Sequence, residues 1–460
     1  MAQPNSVEVV KVCRVTPHQS SRDFAVPEDQ YSLPLTFFDL VWLRFPIIQR
    51  VFFFETPSCP NSIVSKLKTS LSHTLQHFLP LAGNLTWPQH SPTPVLGYVK
   101  GDAVSLTVAE YSNPEDFHHL SGSQFIDAEK YYPLVPQLEA SASIALQVTL
   151  FPNNGFSLGT VMHHAIMDGK SYTSFIKSWA RICKHVAGSG SSCTVSLPEL
   201  LQPFYDRTVV QDPAGLGELY SSQYLDDHGP NNRSVTPSNF LHFAVDVKPD
   251  SIRGTFELTS AKIQALREHV IKTTMASDSS PLHLSTFSLT CAFCWVCSVK
   301  AQEIKGGKTA LVLAVDARAR LDPPIPATYF GNCIVGRVAI AETKGLLGED
   351  GLVVALSAIT EALKSLEKNG ILNGAESWVS NFIDFSQYER VFSVAGSQRF
   401  EVYDTDFGWG RPKRTEVVSI GKTGAFSLSA SNNDGGAVEV GLVLKKQYMK
   451  AFASLFADAI

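Results

Sequence analysis

The chain has 460 residues, more than one hydrophobic core ordinarily organises, so two domains are the default expectation. A hydrophobic share of 44%, a charged share of 18% and a net charge of -5 describe an ordinary globular protein and argue against a disordered chain, and the near balance of 38 basic and 43 acidic residues argues against a broad nucleic-acid-binding face. The N-terminal run MAQPNSVEVVKVCRVTP lacks the apolar core of a secretory signal, and neither Leu33 to Phe54 (broken by Asp39, Arg44 and Arg50) nor Leu282 to Val299 supplies the ~20 uncharged apolar residues of a membrane span, so the protein is expected to be soluble and cytoplasmic.

In chain order, the first clear element is a helix from Val64 to Phe78, with Leu67, Leu71, Leu75 and Phe78 on one stripe and Pro80 and Gly83 ending it. The pair His118-His119 lies in a polar stretch and reads as solvated surface. A hairpin follows: Leu146, Val148 and Leu150 alternate, Pro152 to Gly155 turns, and Phe156, Leu158, Thr160 and Met162 alternate again. The second strand runs straight into His163-His164-Ala165-Ile166-Met167-Asp168-Gly169. A helix then carries Tyr172, Phe175, Ile176, Trp179 and Ile182. A strand, a tight His- and Asp-bearing loop and a helix start make a rigid mount for a side chain aimed into a cleft.

Turn-rich composition at Ala187–Ser192 and Asp226–Asn239 places a crossover at about 188–238, between domains over 1–187 and 239–460. The second half resumes with a strand over 241–247, a helix near Ser260–Val270 and an apolar helix containing Cys291, Cys294 and Cys297. A buried strand over 309–317, an amphipathic helix over 351–368, strands over about 415–421, 425–431 and 437–444, and a final helix over 446–457 complete the chain. Strands and helices alternate in both halves, so the class is mixed α/β. The other cysteines are Cys13, Cys59, Cys183, Cys193 and Cys333. A cytoplasmic chain keeps all eight reduced, and the helical trio is expected to pack in a core, because no second Cys or His cluster completes a metal site.

His164 can accept a proton near neutral pH, and a carboxylate such as Asp168 can orient it; alternatively Asp168 faces away and holds the loop through an Arg. Gly169 is read as backbone freedom before the helix. In the run Asp406-Phe407-Gly408-Trp409-Gly410-Arg411-Pro412, two glycines around a Trp dictate a sharp path without an obvious nucleophile. Asp406 could be a second acid, but a carboxylate beside two glycines more often accepts backbone or Arg hydrogen bonds. The chain has no Gly-Lys-Ser/Thr phosphate loop, no dinucleotide fingerprint, no His-Glu-x-x-His and no Gly-x-Ser-x-Gly, and the His163–Asp168 group lacks a further ligand for a metal.

Taken together, His-x-x-x-Asp near the middle and Asp-Phe-Gly-Trp-Gly near the end resemble the signatures of the plant BAHD acyltransferases. LPLTFFDLVWL, LKTSLSHTLQHFLPLAGNL and VDARARLDPP look like family segments, and Tyr329-Phe330-Gly331-Asn332-Cys333 looks like the run of the anthocyanin and flavonoid-glycoside branch. The resemblance covers essentially the whole chain. It implies two chloramphenicol-acetyltransferase-like domains, each a mixed sheet flanked by helices, with a solvent channel between them and a segment at about 376–396 completing the first. It implies a monomer without metal or tightly bound cofactor, using acyl-CoA (malonyl-CoA favoured) as co-substrate and a phenolic glycoside as acceptor, with no nucleic-acid or membrane partner.

On that likeness His164 is the base that deprotonates a sugar hydroxyl, Asp168 positions it, the Asp406 loop shapes the CoA side, and Lys262, Ser285 and Thr286 sit at family positions near CoA. From the residues alone, Lys262 could equally be a solvated helix residue and Ser285-Thr286 a helix cap. Ser397 is a candidate oxyanion donor, and Cys333 reads as packing. A malonyl carboxylate wants a cationic partner; Arg44, Arg50 and His163 are candidates that the sequence leaves unranked. The alternatives are a hydroxycinnamoyl donor, a peptide condensation domain, which shares His-His-x-x-x-Asp-Gly, and a non-catalytic binding relative.

Overall fold

The computed structural model describes residues 6–18, 30–57, 59–186, 196–226, 229, 231–237, 250–274, 281–381 and 385–458. Two large mixed sheets organise them. The six-stranded sheet runs in the order Val7–Val15, Val104–Tyr111, Ile144–Phe151, Gly155–Met162, Ile48–Glu55, Arg414–Val417. The seven-stranded sheet runs Ile334–Glu342, Lys308–Asp316, Arg390–Ala395, Phe426–Ala430, Val438–Lys445, Ser251–Leu258, Phe125–Asp127. Each half therefore lends a strand to the other's sheet: Phe125–Asp127 pairs with Ser251–Leu258, and Arg414–Val417 pairs with Ile48–Glu55. Of the segment over 376–396, Trp378 and Val379 pack in the first core, whereas Arg390–Ala395 is a strand of the second sheet.

The expected hairpin forms, Ile144–Phe151 against Gly155–Met162 with Asn153 at φ 67° in the turn. Its alternation does not mark one wet face, because both strands are buried along their whole length. Leu146, Val148, Leu158 and Met162 enter the core shared with helices Pro60–His77 and Gly169–Val186. Phe151 and Val161 enter a second cluster with Phe53, Tyr131 and Val418. A strand covered on both sides is a stiff carrier for the residues at its end.

In the second half, helix Thr286–Ala301 is buried from Ser288 to Val299 and lies among Gly351–Asn369, Lys446–Ala457 and the sheet. Cys291, Cys294 and Cys297 pack there, and burial pushes all three thiols up. No group of three His, Cys, Asp or Glu able to hold a metal occurs among the described residues. None of the described helices is long and apolar enough to cross a membrane. The strand expected over 415–421 stops at Val417, because Ile420–Thr423 turns helical and closes on Gly424 at φ 66°. Residues 187–192, Cys193 and the strand expected over 241–247 lie outside the described residues.

Candidate active site

The strand Gly155–Met162 ends one residue before His163, and the chain then makes a single 3-10 turn, His164–Ile166, before helix Gly169–Val186 begins. His163 caps that turn. Its Nδ1 accepts from the Ala165 amide at 3.2 Å, which leaves Nε2 to donate to the Val235 carbonyl at 2.7 Å. The imidazole is buried, and desolvation lowers its pKa to about 4, so at neutral pH it is an uncharged pin between the loop and the crossover.

His164 is placed differently. Its ring stacks on Trp42, with centroids 4.1 Å apart and planes 10° apart, and meets the edge of Phe45 at 5.2 Å. Nδ1 is buried with no well-aligned partner among the described residues; the acceptor acting on the ring is the residue's own carbonyl oxygen, which favours a proton on Nδ1. That carbonyl is held in turn by the Asn332 amide at 2.9 Å. Desolvation lowers the His164 pKa to about 4, outweighing its own carbonyl and the nearby Asp168. The ring is thus neutral at pH 7, with an unshared pair on Nε2, and Nε2 makes no hydrogen bond to any described residue.

Asn332 belongs to a buried polar chain. Asp39 Oδ1 accepts from the Asn332 amide nitrogen at 2.7 Å and from Nδ2 at 3.1 Å. Asp39 Oδ2 takes Thr36 N and Oγ1, both at 3.0 Å, and lies 3.8 Å from Arg207. Arg207 also donates to the Phe330 carbonyl at 2.6 Å, packed so closely on Gly331 that a Cβ there would stand 2.3 Å from the guanidinium; Gly331 at φ 138° is required. Trp42, Asn332, Asp39 and Arg207 were not singled out by sequence reasoning. The signal was present in part: Asn332 sits in the Tyr-Phe-Gly-Asn-Cys run, and Asp39 and Trp42 in the LPLTFFDLVWL run.

Asp168 turns away from the imidazole. Oδ2 pairs with Arg318 at 2.8 Å and accepts from the Cys333 amide at 3.1 Å, while Oδ1 accepts from the Ser171 amide at 3.0 Å and so starts the helix. Both oxygens are occupied, which makes Asp168 a holder of the loop and not a proton carrier. Gly169 is needed for space and not for backbone freedom: a Cβ there would lie 2.7 Å from the Phe400 ring. Cys333 is buried and its thiol is pushed up by desolvation, as a packing residue should be.

Asp406 is not brought to His164. Lys184 donates to Oδ2 at 2.6 Å, and the amides of Gly408 and Gly410 donate to Oδ1 at 2.7 and 2.9 Å. Burial raises its pKa, but those donors outweigh it and hold the carboxyl below the usual range. Phe407 meets Phe54 and Trp179 edge-on, and Trp409 lies under Lys66 and against Phe156. The loop is a packed brace on helices Pro60–His77 and Gly169–Val186. Lys262 bonds the Phe456 and Ala457 carbonyls at 3.4 and 3.0 Å, at the end of the last helix. Ser285 caps helix Thr286–Ala301 through the Ser288 amide at 3.1 Å, and Thr286 is its first residue.

Of the three cations left unranked, Arg44 donates to the carbonyls of Tyr224 and Asn232 at 3.1 and 3.3 Å, and His163 is neutral and fully engaged. The Arg50 guanidinium makes no hydrogen bond or ion pair with any described residue. The pair His118-His119 is exposed on helix Asp116–Gly122, bonded to Asn154 and Ser123.

A family model described as the Transferase family matches residues 5–458. The chain is 38% identical over 473 residues to phenolic glucoside malonyltransferase 1 of Arabidopsis thaliana, covering 98% of this chain and 97% of that protein. It is 38% identical to an Arabidopsis thaliana malonyl-CoA:anthocyanidin 5-O-glucoside-6''-O-malonyltransferase and 36% identical to an Arabidopsis thaliana agmatine coumaroyltransferase, each over 98% of both chains. Among solved structures, vinorine synthase superposes with TM-score 0.67 at 20% identity over 99% of this chain and 98% of its own. F. graminearum TRI101 complexed with coenzyme A and T-2 mycotoxin superposes with TM-score 0.67 at 16% identity, over 92% and 97%.

Proposed function

The chain belongs to the BAHD branch of the transferase family and is a CoA-dependent O-acyltransferase, and from that premise we propose that it transfers a malonyl group from malonyl-CoA to a sugar hydroxyl of a phenolic or anthocyanin glucoside. The observation that carries the mechanism is the state of His164: a neutral imidazole, clamped on Trp42, with its proton drawn to Nδ1 and Nε2 unengaged. With the acceptor hydroxyl at Nε2, His164 takes its proton as the alkoxide oxygen bonds to the thioester carbonyl. The tetrahedral intermediate collapses, the carbon–sulfur bond breaks, and the thiolate recovers the proton from His164. Atoms and charge balance without a covalent enzyme intermediate. Such a base contributes about 10²–10⁴-fold; holding the two substrates together and stabilising the oxyanion supply the rest.

Asp168 with Arg318, and Asn332 with Asp39 and Arg207, fix the ring without exchanging protons. Ser397 accepts the Arg399 amide at 3.2 Å, leaving its O–H available to an oxyanion. Lys262 uses two of its three ammonium protons on helix-end carbonyls, leaving one for a CoA phosphate. The reaction runs in a channel between the two halves, in a monomeric cytoplasmic enzyme. A hydroxycinnamoyl donor is the second reading, favoured by the coumaroyltransferase among the relatives. A mass-spectrometric screen of malonyl-, p-coumaroyl- and caffeoyl-CoA against phenolic and flavonoid glucosides decides: malonylated glucoside is expected, and product from aromatic donors alone would refute the malonyl reading.

A further inference from the structure

Two polar groups on neighbouring strands are buried and left without partners at one spot. Arg50 is 8% exposed; its guanidinium lies 5.9 Å from the Tyr172 ring, with Tyr403, Glu416 and Glu439 near enough to act on its charge. Thr415 is 4% exposed, and its Oγ1 has no hydrogen-bond partner among the described residues. Their strands are adjacent, with Arg50 opposite Val417 and Phe52 opposite Thr415, so both side chains emerge on the face of Phe52. Both line a narrow polar recess where the two sheets meet, with Thr255, Ser427, Ser429 and Glu439.

The carboxylates nearby do not neutralise Arg50. Glu416 is taken by Arg253 at 3.1 Å, Arg414 at 2.7 Å and Thr255 at 2.7 Å. Glu439 accepts Tyr403 on both oxygens, at 2.9 and 3.1 Å. Burial lowers the Arg50 pKa, and Tyr172, Tyr403, Glu416 and Glu439 offset that only in part, none of them through a hydrogen bond or ion pair to the guanidinium. An unpaired buried charge is costly, and a ligand that pairs with it recovers that cost as binding energy and selectivity.

The recess is also placed relative to the catalytic loop. Arg50 stands opposite Thr160, on the sheet face that also carries Met162, the last strand residue before His163-His164. Thr160 is two residues from the end of that strand, and His164 opens the turn that follows it. Tyr172, on the helix that follows the catalytic loop, closes one wall, with its hydroxyl 2.7 Å from Thr160 Oγ1.

We propose that Arg50 and Thr415 bind the free carboxylate of the malonyl donor and so select a dicarboxylic acyl group over neutral or aromatic ones. The assignment rests on the malonyl reading above and deepens it. The carboxylate, one methylene beyond the thioester carbonyl, takes the guanidinium and the threonine hydroxyl as donors.

The experiment compares kcat/KM for malonyl-CoA and acetyl-CoA with one phenolic glucoside in the wild type, Arg50→Gln and Thr415→Val. The malonyl-to-acetyl ratio is expected to fall roughly 100-fold in Arg50→Gln and roughly 10-fold in Thr415→Val, and Arg50→Lys should recover part of the loss. Removing an unpaired buried charge should also leave the unliganded melting temperature of Arg50→Gln no lower than that of the wild type, and free malonate should raise the melting temperature of the wild type alone. If the wild type uses malonyl-CoA and the ratio survives in Arg50→Gln, the carboxylate site is wrong while the donor stands. If the wild type does not use malonyl-CoA at all, the donor reading falls and takes this site with it. Should Arg50→Gln fail to fold, the near-isosteric Thr415→Val carries the same ratio test.

Discussion

The loop from His163 to Gly169 and the loop from Asp406 to Gly410 look alike in sequence: each sets an acid beside glycine and apolar residues, and together they are specific. Their hydrogen bonding is opposite. In the Asp406 loop each carboxylate oxygen has a donor, both glycines sit at positive φ, and both aromatic rings are packed. In the His164 loop both oxygens of Asp168 and both ring nitrogens of His163 are engaged, while His164 Nδ1 and the nearby Asn332 Oδ1 are buried without a well-aligned partner among the described residues. Buried polar groups normally find partners, so a rigid site with such groups left short has been arranged for something else to complete it. A motif can thus be equally diagnostic of a family whether it does chemistry or holds the scaffold that does it.

The largest effect expected is at His164. His164→Ala should lower kcat by about 10²–10⁴-fold, with only a modest fall in melting temperature from losing the Trp42 stack and the Asn332 interaction. Turnover persisting near the wild-type rate in a folded variant would remove the imidazole from the mechanism. Desolvation lowers this pKa to about 4, so the neutral base is present throughout the physiological range and is lost only as the pH falls through that value. The rate in kcat/KM should therefore be flat from pH 8 to about 5. An inflection near 6.5 in the free enzyme would mean that the ring is less desolvated than its seat on Trp42 implies.

Asp168 sharpens the comparison, because it lies in the His164 loop yet is bonded like Asp406. Asp168→Asn removes the charge facing Arg318 in a site where both side chains are about 2% exposed or less. Breaking a buried pair from one side costs about 3–5 kcal/mol; some is returned here because Arg318 keeps Asp316 at 3.0 Å. A clear drop in melting temperature should accompany a loss of kcat smaller than that of His164→Ala. If the variant were as stable as the wild type and as inactive as His164→Ala, Asp168 would be acting on the proton directly.

Much of the scaffold was legible in the sequence, because it is governed by local periodicity. The stripe Leu67, Leu71, Leu75 made its helix, and the final helix runs over the residues its pattern marked, Lys446–Ala457. What could not be read is what depends on distant segments meeting. Alternation over 144–162 predicted strands but not that both faces would be covered. Nothing local says that Arg414–Val417 crosses to the first sheet, and only that crossing brings Thr415 beside Arg50. The same holds at the site: His164 and Asp168 were visible as a pair, but Asn332 and Asp39 reach the loop from positions far along the chain. The three cations that sequence left equal are separated by their partners, which only the fold supplies.

The smallest effect should come from Asp406, and its two substitutions test the comparison most finely. Asn in place of Asp406 keeps an oxygen able to accept from Gly408 and Gly410 and loses only the charge facing Lys184, whose side chain is 58% exposed. An exposed pair of this kind is worth about 0–1 kcal/mol, so Asp406→Asn should stay close to wild type in melting temperature and turnover. Asp406→Ala removes the acceptor as well and leaves two backbone donors short, a loss of about 1–3 kcal/mol. The strain would pass through Phe407 and Trp409 to helix Gly169–Val186, whose first turn holds the His164 loop, so turnover should fall together with stability and not ahead of it. If Asp406→Asn instead silenced the enzyme with its melting temperature unchanged, the carboxylate charge itself would be taking part in the reaction, and the distinction between a loop that reacts and a loop that braces would fail at the point where it is drawn.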